Sequence, residues 1–88
     1  SFQLEGDAGA CKYNFISIPL YRSDLVDAAA LAADIGDVDQ ILEWNPNAGY
    51  AFYNTANPGG GGSTNFPVKI GYPYFVCMNN SKTWPVNP

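Results

Sequence analysis

Apolar strand formers dominate Tyr13–Leu20, the stretch YNFISIPL, and this pattern predicts a β-strand whose successive side chains point to opposite faces. One face of the strand would carry Tyr13, Phe15 and Ser17, and the other Asn14, Ile16, Ile18 and Leu20. Pro19 has no amide hydrogen to offer a sheet, so we expect the strand to end near it. The stretch is the most apolar strand-forming run of the chain, and we expect the core to be organised around it.

The apolar spacing changes to that of a helix over Ala28–Ile35. Asp27 is suited to cap its N-terminus, with Ser23 or Asp24 as competing caps, and Gly36 is suited to end it. The apolar stripe of the helix comprises Ala28, Leu31, Ala32 and Ile35. A helix this short is marginal alone, so we expect it to pack on a sheet.

A hairpin is predicted directly after the helix. Its strands are Val38–Trp44 and Tyr50–Tyr53, and the turn residues Asn45–Gly49 join them. One face of the first strand would carry Val38, Gln40, Leu42 and Trp44. Trp44 ends the strand beside a turn that fixes its direction, and we therefore predict that it is buried in the core.

The rest of the chain alternates between loops and further strands. Phe2 and Leu4 predict a short edge strand or, alternatively, belong to a flexible arm over residues 1–10. A glycine-rich loop is predicted over Asn54–Thr64, and strands over Phe66–Ile70 and Tyr72–Met78. The element order β-α-β-β-β-β predicts one α+β domain over residues 1–88, with a short helix on a mostly antiparallel sheet.

Two cysteines, Cys11 and Cys77, lie near opposite ends of the chain, at a spacing unlike that of a metal site. We expect them to form a disulfide that makes the strands of residues 13–20 and 72–78 neighbours. Two separate buried thiols are the alternative. The sequence begins at Ser1 without a methionine, which we interpret as a processed start, so we expect an oxidising, extracellular location.

Charge and composition exclude several functions. The chain has four basic and eight acidic residues, and four scattered cations do not form the basic surface that nucleic acid requires. No apolar run approaches the roughly 20 residues that span a bilayer. Histidine is absent, as are the common catalytic and phosphate-binding motifs. We therefore expect neither an enzyme nor a bound cofactor.

Two short motifs are candidates for a metal site and for a modification site. Asp34, Asp37 and Asp39 have the side chains of a calcium site, but they lack an EF-hand pattern and are typical of a solvated helix end. Asn79-Asn80-Ser81 matches an N-glycosylation acceptor.

Aromatic residues suggest a sugar-stacking platform, since the chain has five Phe, six Tyr and two Trp. The candidates for it are Tyr50, Tyr53, Tyr72 and Trp84. The alternative is that half of the aromatic rings form the core. A carbohydrate-binding or adhesive module of a larger cell-surface protein is thus one functional hypothesis.

Three segments in order, Tyr13–Leu20, Ala30–Trp44 and Phe66–Val76, followed by Thr83-Trp84-Pro85, resemble a small β-rich domain of bacterial and archaeal cell-surface and secreted proteins. The resemblance implies surface structure or adhesion and no catalytic residues. The two cysteines and the glycine-rich insertion depart from the pattern.

The sequence is also similar to what the secreted globular chain of a two-chain type IV pilus should be. We therefore expect a non-enzymatic extracellular structural subunit of a surface filament such as a pilus. Its expected partners are identical copies and/or a separate helical pilin-like chain. Glycine-rich loops and chain termini lose much conformational entropy when they become ordered, so we expect contacts with another subunit to hold them. The predicted assembly contacts are Phe2, Leu4, Pro58, Gly59, Gly60, Gly61 and Gly62.

Overall fold

The computed structural model describes residues 1–47 and 49–86, so Ala48 of the predicted turn and residues 87 and 88 of the predicted domain lie outside the described residues. The elements are β1 (Phe2–Leu4), β2 (Lys12–Ser17), α1 (Ala28–Ile35), β3 (Val38–Asn45), β4 (Gly49–Asn54), β5 (Pro73–Met78) and β6 (Lys82–Trp84). The predicted α+β class, with one short helix and mostly antiparallel strands, is confirmed for the described residues.

The main sheet has four antiparallel strands in the order β2-β5-β3-β4. Its interior strand β5 buries Tyr74, Val76 and Met78 completely, and it lies within the segment Tyr72–Met78 that was predicted as a strand. The strand β2, around which we expected the core to be organised, is an edge strand of this sheet. It ends at Ser17, before Pro19, and Leu20 is 85% exposed rather than part of an apolar face.

The helix α1 covers one face of this sheet and contacts β3. Its buried residues are the predicted stripe of Ala28, Leu31, Ala32 and Ile35. The side chain of Asp27 accepts a hydrogen bond from the Ala30 amide at 2.8 Å, so Asp27 is the N-cap. Gly36 ends the helix with φ of 79°, a conformation that favours glycine.

A β-bulge in β3 changes which side chains face the helix. Val38 pairs with Met78 and Gln40 with Cys77, so β3 contributes one residue more than β5 between these pairs. Val38 and Ile41 are therefore both buried, whereas Trp44 lies on the other face and is 52% exposed. The predictions that Val38 shares a face with Trp44 and that Trp44 is buried are both wrong.

The segment Phe66–Ile70 does not form the predicted strand. Its only pairing among the described residues is a bridge between Pro67 and Asp27, and proline cannot donate to a longer ladder. Phe66 nevertheless joins the core, where its ring stacks on Tyr74 with centroids 6.0 Å apart.

The two ends of the chain form a small sheet of their own. β1 pairs antiparallel with β6, so Phe2 lies opposite Trp84 and their rings stack. This confirms the short edge strand at Phe2–Leu4 rather than the flexible arm. Its partner β6 lies in a segment for which the sequence analysis predicted no strand.

Arg22 joins three parts of the chain and is 1% exposed. Its guanidinium donates to both carboxylate oxygens of Asp24 at 2.9 Å and to both of Asp34 at 2.9 and 3.1 Å. It also donates to the carbonyl of Val86. Asp34 in turn accepts from Trp84 Nε1 at 2.9 Å. Arg22 therefore ties the loop before α1 and the helix itself to the segment after β6.

We expect the stability of the domain to fall in acid because of this cluster. Hydrogen bonds from Arg22 lower the pKa values of Asp24 and Asp34 below their usual value. A carboxyl whose folded pKa is lowered stabilises the fold above its unfolded pKa of about 3.9, and the contribution is lost as the pH falls through the folded pKa.

Melting temperatures measured from pH 6 down to about pH 2 test this expectation. Asp34→Asn should weaken the dependence on pH, whereas Glu5→Gln, away from Arg22, should retain it. Equal slopes for Asp34→Asn and the wild-type chain would contradict a role for Asp34 in acid unfolding.

Candidate functional site

The face of the main sheet opposite α1 is built by strand alternation. Residues directly opposite each other on neighbouring strands share a face of the sheet. The buried side chains of Ile16, Ile41 and Tyr74 lie on the face that α1 covers, so their neighbours along each strand lie on the opposite face. We call it the open face, and it comprises Tyr13, Phe15 and Ser17 of β2, Pro73, Phe75 and Cys77 of β5, Gln40, Leu42 and Trp44 of β3, and Tyr50, Phe52 and Asn54 of β4. None of these residues carries a charge.

An apolar row crosses the open face from one edge of the sheet to the other. Phe15 lies opposite Phe75, Phe75 opposite Leu42, and Leu42 opposite Phe52. The rings of Phe15 and Phe75 meet edge to face, with centroids 5.5 Å apart. Phe15 is 62% exposed although it is one of the largest apolar side chains on the sheet.

A second aromatic contact lies toward the hairpin end of the open face. Trp44 and Tyr50 form a cross-strand pair whose ring centroids are 4.9 Å apart and whose planes are 62° apart. The open face also has a shallow pocket of about 190 Å³, lined by Tyr13, Leu42, Tyr50 and Phe75. Its lining is almost entirely apolar, so it suits an apolar side chain better than a polar ligand.

The other end of the open face is fixed by the disulfide between Cys11 and Cys77, which confirms the predicted bond. Tyr13 and Gln40 lie on the strands at either side of Cys77. The Tyr13 hydroxyl donates to Gln40 Oε1 at 2.9 Å, and Cys77 is fully buried. The bond thus connects the edge strand β2 to the interior of the sheet, where β2 and β5 are neighbours as predicted.

The structure does not assemble the sugar platform predicted from the sequence. Tyr53 is 9% exposed and Trp84 is 1% exposed, because both belong to the core, and Trp84 lies in the small sheet. Tyr50 belongs to the open face, while Tyr72 is an exposed loop residue before β5. Tyr53 and Trp84 therefore offer no stacking surface to a sugar.

The residues predicted as assembly contacts fall into two groups. Phe2 and Leu4 turn their side chains into the domain, since Phe2 stacks on Trp84 and Leu4 is 3% exposed, so neither presents an apolar contact surface. The loop residues Pro58, Gly59, Gly61 and Gly62 are exposed, and Gly60 is half-buried. A Cβ on Gly62 would lie 3.6 Å from the Phe52 ring, so the loop borders the open face.

The acidic residues do not form a metal site. Asp34 binds Arg22 and Trp84, and Asp37 lies 3.8 Å from Lys82 Nζ. Among the described residues no group of three acidic, histidine or cysteine side chains is placed to hold a metal ion. Within the same ranges, no helix is long and apolar enough to cross a membrane.

Comparison with known proteins gave no match to any family model, curated protein or solved structure.

The open face was missed in the sequence analysis, although two signals for it were present. The first is that Tyr13 and Phe15 share a face opposite Ile16 and Ile18. The second is that one helix of eight residues is too small to cover both faces of a four-stranded sheet. The face was not predicted because of the bulge in β3, which places Leu42 and Trp44 on the opposite face from Val38.

Proposed function

We propose that this chain is a non-enzymatic extracellular structural subunit that packs through its open face into a surface filament such as a pilus. The observation that carries the proposal is the absence of charge on the twelve residues of the open face, in a chain whose formal net charge is -4. Copies of an acidic protein repel one another, and an uncharged face is where that repulsion is weakest.

The composition of the open face supports a protein partner. Aromatic residues are enriched and charged residues depleted at the cores of protein interfaces. Phe15, Trp44 and Tyr50 are each more than half exposed and lie together on one sheet, whereas exposed apolar residues on monomers are usually scattered. The shallow pocket on the same face suits an apolar side chain of the partner.

The partner we propose is a set of identical copies and/or a separate helical pilin-like chain. The resemblance to surface domains and to two-chain pili supports this choice. The disulfide supports an oxidising location outside the cytosol. An apolar helix or a second open face would each cover the row from Phe15 to Phe52.

Phe15→Glu tests the proposal by placing a negative charge on the open face. Phe15 is the middle one of the three residues that β2 contributes to this face. Phe15 is exposed, so we expect the variant chain to fold with a melting temperature within about 4 °C of wild type, equivalent to less than about 1 kcal/mol. We expect it to fail to enter filaments, because a buried unpaired carboxylate is costly at an interface.

Leu20→Glu is the matched control, since Leu20 is 85% exposed and lies outside the sheet. Electron microscopy of producing cells and sedimentation of the purified chains supply the measurements. Normal incorporation of Phe15→Glu would contradict a role for the open face, and the absence of any filament containing the wild-type chain would contradict the proposed function itself.

A further inference from the structure

A second pocket lies at the hairpin end of the main sheet, between the β3–β4 turn and the loop before β5. Its volume is about 300 Å³, which is at the lower end of the range for small-molecule sites. Unlike the pocket on the open face, it has a lining that is more polar than apolar. The lining residues are Glu43, Trp44, Pro46, Asn47, Lys69 and Tyr72.

Two aromatic rings contribute to its walls. Trp44 and Tyr72 are 52% and 51% exposed, so part of each side chain is open to a ligand. The edge-to-face contact with Tyr50 restrains Trp44. On the other side, Lys69 Nζ lies 5.3 Å from the centre of the Tyr72 ring, a cation–π contact that restrains both side chains.

The loop that carries Lys69 and Tyr72 is anchored to the sheet. The Lys69 amide donates to the hydroxyl of Tyr74 at 2.7 Å, and Tyr74 is fully buried, so burial raises the pKa of its hydroxyl. The Gly71 amide donates to the Ile18 carbonyl at 2.9 Å. The loop side of the pocket is therefore held in place by the sheet, which lowers the entropic cost of ordering Lys69 and Tyr72 on binding.

The charges in the pocket cancel. Glu43 supplies a carboxylate that accepts hydrogen bonds, and Lys69 supplies an ammonium group that donates them. A ligand with a net charge would gain from one of these groups and lose from the other. A neutral ring with hydroxyl groups can donate to Glu43, accept from Lys69, and lay its C–H surface on an aromatic ring.

We propose that this pocket, lined by Trp44, Tyr72, Glu43 and Lys69, binds a neutral saccharide. This site differs from the platform suggested by the sequence, because it uses a tryptophan predicted to be in the core and excludes Tyr53 and Trp84, which are buried. It also goes beyond the proposed structural function, since a subunit with this site would hold glycan at the surface of its assembly.

Amide chemical-shift titration of the disulfide-bonded chain tests the proposal with three neutral disaccharides: cellobiose, maltose and N,N′-diacetylchitobiose. We expect saturable shifts at the hairpin end and at residues 69–72 with at least one of them, at a Kd of about 1 mM. Tyr72→Ala should weaken the binding about tenfold, because it removes one of the two aromatic rings that line the pocket. Tyr21→Ala is the matched control, because Tyr21 is 59% exposed and does not line the pocket.

Tyr72 lies outside the open face, so we expect its replacement to leave filament formation unchanged, which separates this proposal from the structural function. Glu43→Gln, which keeps the size of the side chain, should also weaken binding. Three outcomes overturn the proposal: no saturable shift with any of the disaccharides, shifts that Tyr72→Ala leaves unchanged, or binding of the zwitterion γ-aminobutyrate in place of the sugars.

Discussion

Trp84→Ala should lower the free energy of unfolding by about 3–5 kcal/mol, the cost of truncating a buried tryptophan. Trp84 is 1% exposed, its ring stacks on Phe2, and its Nε1 donates to Asp34. The variant loses all three contributions and leaves a cavity between the small sheet and the core. In a domain of 88 residues this corresponds to a melting temperature lower by more than about 10 °C.

Trp44→Ala is the matched control, because the same side chain is removed from a position that is 52% exposed. We expect it to cost less than about 1 kcal/mol, mainly through the lost contact with Tyr50. Urea unfolding of both variants, monitored by circular dichroism, makes the comparison. A larger loss for Trp44→Ala than for Trp84→Ala would contradict the assignment of Trp84 to the core.

Local signals predicted the helix and the hairpin well. The bounds of α1, its cap Asp27 and its buried stripe follow from neighbouring residues, because capping and helical periodicity act within a few positions. The β3–β4 hairpin likewise follows from the turn residues between its strands. The disulfide was predicted from composition and chain position, and the structure contains it.

Features that depend on distant contacts were not predictable from the sequence. The bulge between Val38 and Gln40 arises from the pairing of β3 with β5, and it reverses which residues face the helix. The strand β6 exists only because β1 returns to pair with it from the other end of the chain. The segment Phe66–Ile70 has a strand-like sequence, but its pairing stops at Pro67.

Both candidate sites depend on the position of Trp44 outside the core. Because the bulge moves Trp44 out of the core, this residue completes the aromatic surface of the open face and also one wall of the polar pocket. From the sequence, Trp44 was predicted to be a core residue and Trp84 was a candidate for an exposed sugar platform. The structure reverses the two, because Trp84 is enclosed by chain ends whose pairing no local pattern indicates.

Reduction of the Cys11–Cys77 disulfide should lower the free energy of unfolding by about 4 kcal/mol. The two cysteines are 66 residues apart, and in the chain-entropy model a crosslink over such a loop restricts the unfolded chain by this amount. The chain has no other cysteine, so a reductant changes this bond alone. Urea unfolding of one sample, with and without the reductant, measures the effect without any substitution.

Alkylation before unfolding supplies the check on the bond itself, with no thiol modified in the native chain and two modified after reduction. The loss of stability should be greatest at the edge strand β2, which the bond fastens beside β5 and which carries Tyr13 and Phe15 of the open face. Hydrogen exchange should therefore show faster exchange in β2 than in β4 after reduction. An unchanged urea midpoint would contradict the stabilisation expected of the disulfide. Uniform acceleration across the sheet would show that the bond stabilises the domain as a whole through the unfolded chain and does not hold β2 in particular.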